Sequence, residues 1–577
     1  LLYGLLTINW AVTTDYLQMK RYMKRKLAYG KLPNPFLNWS KLVISKVLYW
    51  TIWIVLPIMI LDMAWYKVLL GFFLRLFLMF AIGYRDMASD ALGYVMIARA
   101  IFQEGILIEQ ALFFPPGYPL FVGVFNWFIE DSLVAARFVS VVFSTLTIFL
   151  AYKIGKEMSN KSGGLFAALA MAIYPGIIQA GSLAMSEALF IFFMFLAVYS
   201  SIRVLREVSW FYIVVLGASI AFTYLIRPEG IFLFLLPCFI IFWHCKNFMF
   251  KNASKVLIVF FVFLILTTPY FYYVFLETGD FSISGKGGWN LVKGEIVTGP
   301  EEEWRVEYLS LNEDKTLTIL EEVSFEISTL NYILENPGDL LERYVIQFIE
   351  VVRLLFYLIV PVLLALIFFF LNKYKDVGLM YMLLAYVAML IFIYPLYTIH
   401  PRYLFILAAP LVLVSSLGFA KARVTLKKYF NKDYFVNNIK TFLVIILILF
   451  SCLYLFSLSL DLPYYVSYGQ GDVPEIYSEA ADVIISFEES ERLNVMAATS
   501  YISYFTDSNM VNFPYANVED FLEYAENREV DYIVIEESSQ GNWDVYEDYS
   551  NLDSYDYIEL IFEDDSTGSL IQVFKLD

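Results

Sequence analysis

The 577-residue chain is 59% hydrophobic, 19% aromatic and only 17% charged, with a net charge of −17. Soluble domains average about 45–50% apolar and about 25% charged residues, so a soluble globular protein is excluded. The acidic balance excludes a basic nucleic-acid surface. Three cysteines give no disulfide framework or zinc pattern, and two histidines, His244 and His400, exclude any centre needing several imidazoles.

The chain opens on Leu1-Leu2-Tyr3-Gly4 without an initiator Met or a basic signal peptide, and a truncated N-terminus is expected. A basic stretch, Lys20 to Lys46, precedes an apolar run at about 47–66. From there, apolar runs recur at 68–84, 133–152, 163–180, 186–203, 211–226, 230–244, 256–275, 346–371, 377–397, 401–419 and 441–460. Such lengths suit a hydrocarbon core about 30 Å thick, and continuous runs of this kind cross as helices.

Short basic loops mark the cytoplasmic side. They are Lys153/Lys156/Lys161, Arg203/Arg206, Lys246/Lys251/Lys255, Lys373/Lys375 and Lys421 through Lys440. All fall on every second loop. That places 85–132, 181–185, 227–229, 276–345, 398–402 and 462–577 outside a multi-pass plasma-membrane protein. From about 466 the hydropathy pattern changes. Ile476 to Phe487 and Val518 to Ala525 read as helices, and Leu493 to Ala498, Tyr532 to Glu536 and Ile571 to Leu576 read as strands. The expected fold is an all-α polytopic membrane protein, with about eleven transmembrane helices, followed by a C-terminal extracytoplasmic α/β domain.

Ionisable groups at a membrane boundary are functional candidates. Asp86 and Asp90, four apart in the first outer loop, share a face if helical. Acids starting a helix also simply complement its dipole. Leu92, Val95, Met96 and Ile101 form the apolar side of the following stretch, expected to anchor Asp90 at the interface. Phe114-Pro115-Pro116-Gly117-Tyr118-Pro119 leads into an apolar run to Ile129, too short to span. Ser186-Glu187 opens a span, and Arg227-Pro228-Glu229-Gly230 breaks two apolar runs, as a site or as a structural ion pair. His400-Pro401-Arg402-Tyr403 lies at another outer boundary. Arginine offers a permanently charged fork suited to phosphate oxygens, but a boundary arginine also snorkels.

Taken in order, these pieces resemble the GT-C glycosyltransferases of the protein O-mannosyltransferase and aminoarabinose-transferase type, over about 75–460. The matching residues are Asp86 through Asp90-Ala91-Leu92-Gly93-Tyr94, Pro115 to Pro119, Ala135-Ala136-Arg137-Phe138, Tyr174-Pro175, Ser186-Glu187, Arg227 to Gly230 and Pro401-Arg402-Tyr403. The resemblance implies an inverting transferase that moves a sugar from a polyprenyl-phosphate donor, itself a membrane lipid, to an extracytoplasmic acceptor: protein, lipid or glycan. It implies Asp90 or Asp86 as the catalytic acid of the first loop. Arg402, Arg227 and His400 are the candidate donor-phosphate contacts, and Glu187, Glu229, Tyr94 and Tyr118 the candidate substrate contacts. No cofactor is firmly implied, no metal ligands are assigned, and a divalent cation is left open.

Residues 1–74 resemble a fragment of a membrane fatty-acid desaturase, through Leu2-Tyr3-Gly4-Leu5, Asp15-Tyr16 and Trp65 to Phe72. That family binds two irons through histidine boxes, and no histidine precedes His244, so the fragment is expected to be non-functional. A join is expected near 70–76, where Arg75 interrupts an apolar run. The expected domains are therefore 1–74, 75–465 and 466–577. The competing functional reading is a transporter or a scaffold with an outer partner-binding domain. Transporters favour internal repeats and mid-membrane broken helices; no repeat is visible here, and the charges sit at the outer edge.

Overall fold

The computed structural model describes residues 64–82, 89–107, 110–206, 209–238, 249–278, 377–396, 404–429, 475–487, 493–499, 501–537, 551–565 and 570–576, with short pieces between 310 and 366 and Tyr549. The chain divides into two compact units, Leu1–Leu61 and Asp62–Asp577. All described residues belong to the second.

The helical part begins with α1 (Ala64–Ile82) and α2 (Ser89–Arg99), followed by α3 (Gly117–Asn126). The bundle proper is α4 (Ser132–Met158), α5 (Lys161–Ile173), α6 (Pro175–Ala180), α7 (Glu187–Arg206), α8 (Trp210–Ile226) and α9 (Met249–Thr278), with α10 (Val377–Ile393) and α11 (Leu404–Tyr429) added. Asp131 caps α4 by accepting hydrogen bonds from the Leu133 and Val134 amides, and Asn160 caps α5 through Gly163. The expected 163–180 span is broken, because Pro175 cannot continue α5 and opens α6 instead.

Among the described residues three helices are long and apolar enough to cross a membrane: α4, α7 and the Ala253–Glu277 part of α9. α5, α8, Leu383–Ile393 and Phe405–Gly418 are shorter apolar helices. The expected spans at 346–371 and 441–460 lie outside the described residues, save for isolated positions in the first.

α1 is built inside out. Trp65, Leu69, Phe73, Phe77 and Phe80 repeat at helical spacing on its exposed face, while Lys67, Leu70, Arg75 and Met79 are buried. An apolar outside and a cationic inside is the pattern of a helix solvated by lipid. The helix crosses residue 74 unbroken and packs on α4 and α5, and Trp65 stacks on Phe149.

Arg75, at the expected join, acts as a clamp. It donates from Nε to Ser144 Oγ at 2.6 Å, from Nη1 to the Gly71 carbonyl at 2.9 Å and the Ala172 carbonyl at 3.3 Å, and from Nη2 to the Met171 carbonyl at 2.9 Å. Pro175 has no N–H to offer Met171, so the guanidinium answers a carbonyl left open at the end of α5. One buried cation thus ties α1, α4 and α5 together.

At the opposite end of the bundle from the Glu187 terminus of α7, Glu157 of α4 pairs with Arg203 at 3.4 Å and also with Arg206. Two of the basic loops are therefore brought to one end.

The tail forms α12 (Glu475–Phe487), β1 (Asn494–Ala497), α13 (Tyr501–Thr506), β2 (Asn509–Asn512), α14 (Val518–Asn527), β3 (Tyr532–Glu536), β4 (Ile558–Asp564) and β5 (Ile571–Leu576). The sheet order is β2-β1-β3-β5-β4, with β1 parallel to β2 and β3, and β5 antiparallel to β3 and β4. β3 is central and buried at every position, as its β-branched run requires. Phe513, Phe521, Tyr549 and Phe574 form the core beside it. The three strands and two helices expected from sequence are present; β2, β4 and α13 were not anticipated. Leu560 and Phe562 flank a bulge, so β4 lacks a clean alternation.

Replacing Arg75 with Leu should lower the stability of the detergent-solubilised protein by about 2–3 kcal/mol, the scale of hydrogen bonds to a charged group. An unchanged thermal midpoint would show that the clamp carries no stability.

Candidate functional site

The chemistry gathers where α8 ends. Arg227 leaves the helix in an extended conformation, φ −151° and ψ 130°, its amide still bonded to the Thr223 carbonyl. Pro228 then starts a tight turn, Pro228–Phe234, which folds back on α8. The Arg227 guanidinium donates from Nε to Glu229 Oε1 at 2.7 Å, from Nη1 to Glu187 Oε1 at 3.0 Å and, more weakly, from Nη1 to Ser186 Oγ at 3.4 Å. The Glu187 side chain is only 2% exposed, against 14% for Arg227 and 16% for Glu229. The ion pair joins two candidate substrate contacts, Glu187 and Glu229.

The cluster extends to the first-loop helix. Tyr94 of α2 donates its hydroxyl to Ser186 Oγ at 3.0 Å, and its ring meets Phe114 and Tyr118 edge-on at 5.1 and 4.9 Å. Tyr118 in turn donates to the Ala136 carbonyl at 2.7 Å. Burial pushes the Tyr94 hydroxyl well above the usual phenol range, and the carboxylates of Asp90 and Glu187 push it the same way. Tyr94 therefore stays a protonated donor, with Asp90 and Glu187 both in its field.

Asp90 sits in the first turn of α2 and is partly buried. The helix behind it differs from the expected interfacial one. Every residue from Ala91 to Ala98 is buried, so this middle part of α2 is enclosed by protein. Asp86, His400 and Arg402 lie outside the described residues.

Two glycines explain why the motifs need their composition. A Cβ on Gly117 would lie 2.6 Å from the Leu225 carbonyl carbon and oxygen, and one on Gly230 would lie 2.4 Å from the Thr223 carbonyl carbon. Both are backbone contacts that cannot swing away. The Pro115-Pro116-Gly117 turn and the Pro228-Glu229-Gly230 turn are thus pressed on adjacent residues of the same helix end.

Tyr386 of α10 is a further candidate that the sequence did not reveal. It is 2% exposed, its hydroxyl has no hydrogen-bond partner among the described residues, and it lies in the fields of Glu229 and Arg227. A tyrosine within a long apolar run carries no local signal of such a position. Among the described residues no three of His, Cys, Asp and Glu are grouped to hold a metal ion.

Residues 114–273 match the family described as dolichyl-phosphate-mannose-protein mannosyltransferase. The match takes in the Pro-Pro-Gly turn, Ser186-Glu187 and Arg227 to Gly230. No curated protein matches the chain. Among solved structures, ArnT from Cupriavidus metallidurans bound to undecaprenyl phosphate is similar with a TM-score of 0.52 at 12% identity, covering 91% of this chain and 98% of that one. The oligosaccharyltransferase of Archaeoglobus fulgidus in its apo form gives 0.49 at 14% identity, covering 82% of this chain and 69% of that one. The likeness to ArnT is one of fold, that of the GT-C glycosyltransferases, and the family match lies within the chain's helical part.

Gly117→Ala and Gly230→Ala should each destabilise the protein by about 1–3 kcal/mol, the usual cost of forcing atoms into packed space. Thermal unfolding of purified variants checks this. Wild-type stability in both would mean the turns do not bear on α8 as closely as described.

Proposed function

We propose that the protein transfers a sugar from a polyprenyl-phosphate donor to an extracytoplasmic acceptor, with inversion at the anomeric carbon. The observation that carries this reading is the convergence of a first-loop carboxylate, Asp90, with the Glu187–Arg227–Glu229 cluster through Tyr94 and Ser186. The family match and the likeness to a structure holding undecaprenyl phosphate support a lipid-linked donor.

The chemistry asks little of the protein. The leaving phosphate is a good anion, so no strong general acid is required. A carboxylate must take the acceptor's proton as the new bond forms, and we assign that role to Asp90, with Asp86 as runner-up. Cationic groups must meet the departing phosphate. Arg402 and His400 are assigned there. Arg227 is already set between Glu187 and Glu229, and one guanidinium against two ionised carboxylates sums to −1. Such a cluster suits holding sugar hydroxyls better than holding a phosphate, so Arg227 acts mainly by orienting the two glutamates. Glu187, Glu229, Tyr94 and Tyr118 shape the sugar pocket.

The acidic tail and the site share one end of the molecule, because Arg99 of α2 pairs with Asp507. The basic loops make the other end cytoplasmic, so site and tail face outward.

Asp90→Asn keeps size and one oxygen but cannot accept a proton at neutral pH. Turnover should fall by about 10²–10⁴-fold, with donor binding retained. Full activity in Asp90→Asn, Asp86→Asn and the double variant would remove the first loop from the mechanism. Arg402→Ala should weaken binding of a polyprenyl-phosphate sugar, measured by titration. Unchanged affinity would reassign the phosphate to other cations. Cysteines placed in the tail should react with an impermeant reagent on intact cells. Labelling only after permeabilisation would reverse the orientation.

A further inference from the structure

We propose that the C-terminal α/β domain is a positioning element for the site helix, and that Arg99 is the residue through which it acts. The inference rests on the reading of Asp90 as the base.

Arg99 closes α2, nine residues after Asp90, about 14 Å along the helix at 1.5 Å per residue. Its Nη1 donates to Asp507 Oδ1 at 2.8 Å and to the Tyr504 carbonyl at 3.3 Å. Its guanidinium lies 5.0 Å from the centre of the Tyr504 ring, within cation–π range. Its Nε reaches Ser132 Oγ, at the start of α4, at 3.4 Å. One side chain, mostly buried, thus joins the site helix, the bundle and the tail. Arginine suits this task because its planar fork serves several acceptors while stacking on a ring.

The tail is built for docking at this place. Ligands of open α/β sheets sit beyond the carboxyl ends of the parallel strands. Here that edge is closed by the domain's own side chains. Glu536, at the end of β3, is fully buried and accepts hydrogen bonds from the Tyr477 hydroxyl at 3.2 Å and the Thr499 hydroxyl at 2.7 Å. The Tyr477 and Tyr501 rings lie 5.0 Å apart across it. The neighbouring strand β1 is followed by α13, which packs against α2. Asp507 follows at φ 56°, a left-handed conformation that aspartate tolerates, and this turn presents its carboxylate to Arg99. The edge that a binding domain would open to a ligand is used to hold the site helix.

The test is turnover, donor affinity and hydrogen exchange of amides 89–99 in the full-length protein, for Arg99→Ala, Arg99→Lys and Asp507→Asn. A displacement of about 1 Å can cost about 10²-fold in rate. Arg99→Ala should therefore lose between about tenfold and a hundredfold in kcat, keep its donor affinity, and exchange faster at 89–99. Arg99→Lys should recover part of the loss. Asp507 is exposed, so Asp507→Asn leaves the fold intact and should show the same changes on a smaller scale. Wild-type kcat and exchange in Asp507→Asn and Arg99→Ala would overturn the proposal. Faster exchange in these variants, together with full activity of Asp90→Asn, would support the clasp and overturn the assignment of the base.

Discussion

The Arg227 guanidinium, held between Glu187 and Glu229, is the interaction on which the site depends. It lies where α8 ends, and its neighbours come from the start of α7 and from the turn that follows α8. Leaving any one of these charges alone in a buried position would cost several kcal/mol. The two glutamates are therefore fixed by the same contact that secures the fold. Gly117 and Gly230 keep both flanking turns pressed against the helix end that carries Arg227. The residues that secure this end of the bundle are thus the same ones that are candidates for the chemistry.

A second consequence concerns how the bundle is built without water on its flanks. Lipid offers no drive to bury apolar side chains against one another, so polar contacts and close packing must select the arrangement. α1 shows the outcome: aromatic side chains face outward and Arg75 faces inward, where Ser144 and the open carbonyls of α5 receive it. The hydroxyls of Thr145, Thr147, Thr223, Thr267 and Thr268 return to carbonyls one turn back. They spare the membrane a bare hydroxyl and add little between helices.

The tail adds a third layer. Its parallel half, β2-β1-β3, has the topology of a ligand-binding sheet, but its functional edge is filled and turned toward α2. The tail meets the helix bearing the candidate base through Arg99, Tyr504 and Asp507.

Much of this was legible in the residues themselves. Composition and run length determine a helical membrane protein, because only helices satisfy their backbone in such runs. The spacing of basic loops determines which ends go together, and Glu157 with Arg203 and Arg206 bears that grouping out at two of them. The short motifs Pro-Pro-Gly, Ser-Glu and Arg-Pro-Glu-Gly stood out as candidates, because Pro, Gly and charge are unusual in an apolar chain, and the fold brings them together. Three things needed the tertiary structure. Arg75 looked like a break because its partners, Ser144, Met171 and Ala172, lie about 70–100 residues away. The burial of the middle of α2 on every side followed from neighbours that local periodicity cannot report. The clasp of Arg99 on Asp507 joins residues 408 apart in sequence, and no pattern within either segment foretells it. The sequence determined which groups each segment carries. Only the packing of distant segments decided which of them meet, since contact across a fold depends on geometry that no local spacing records.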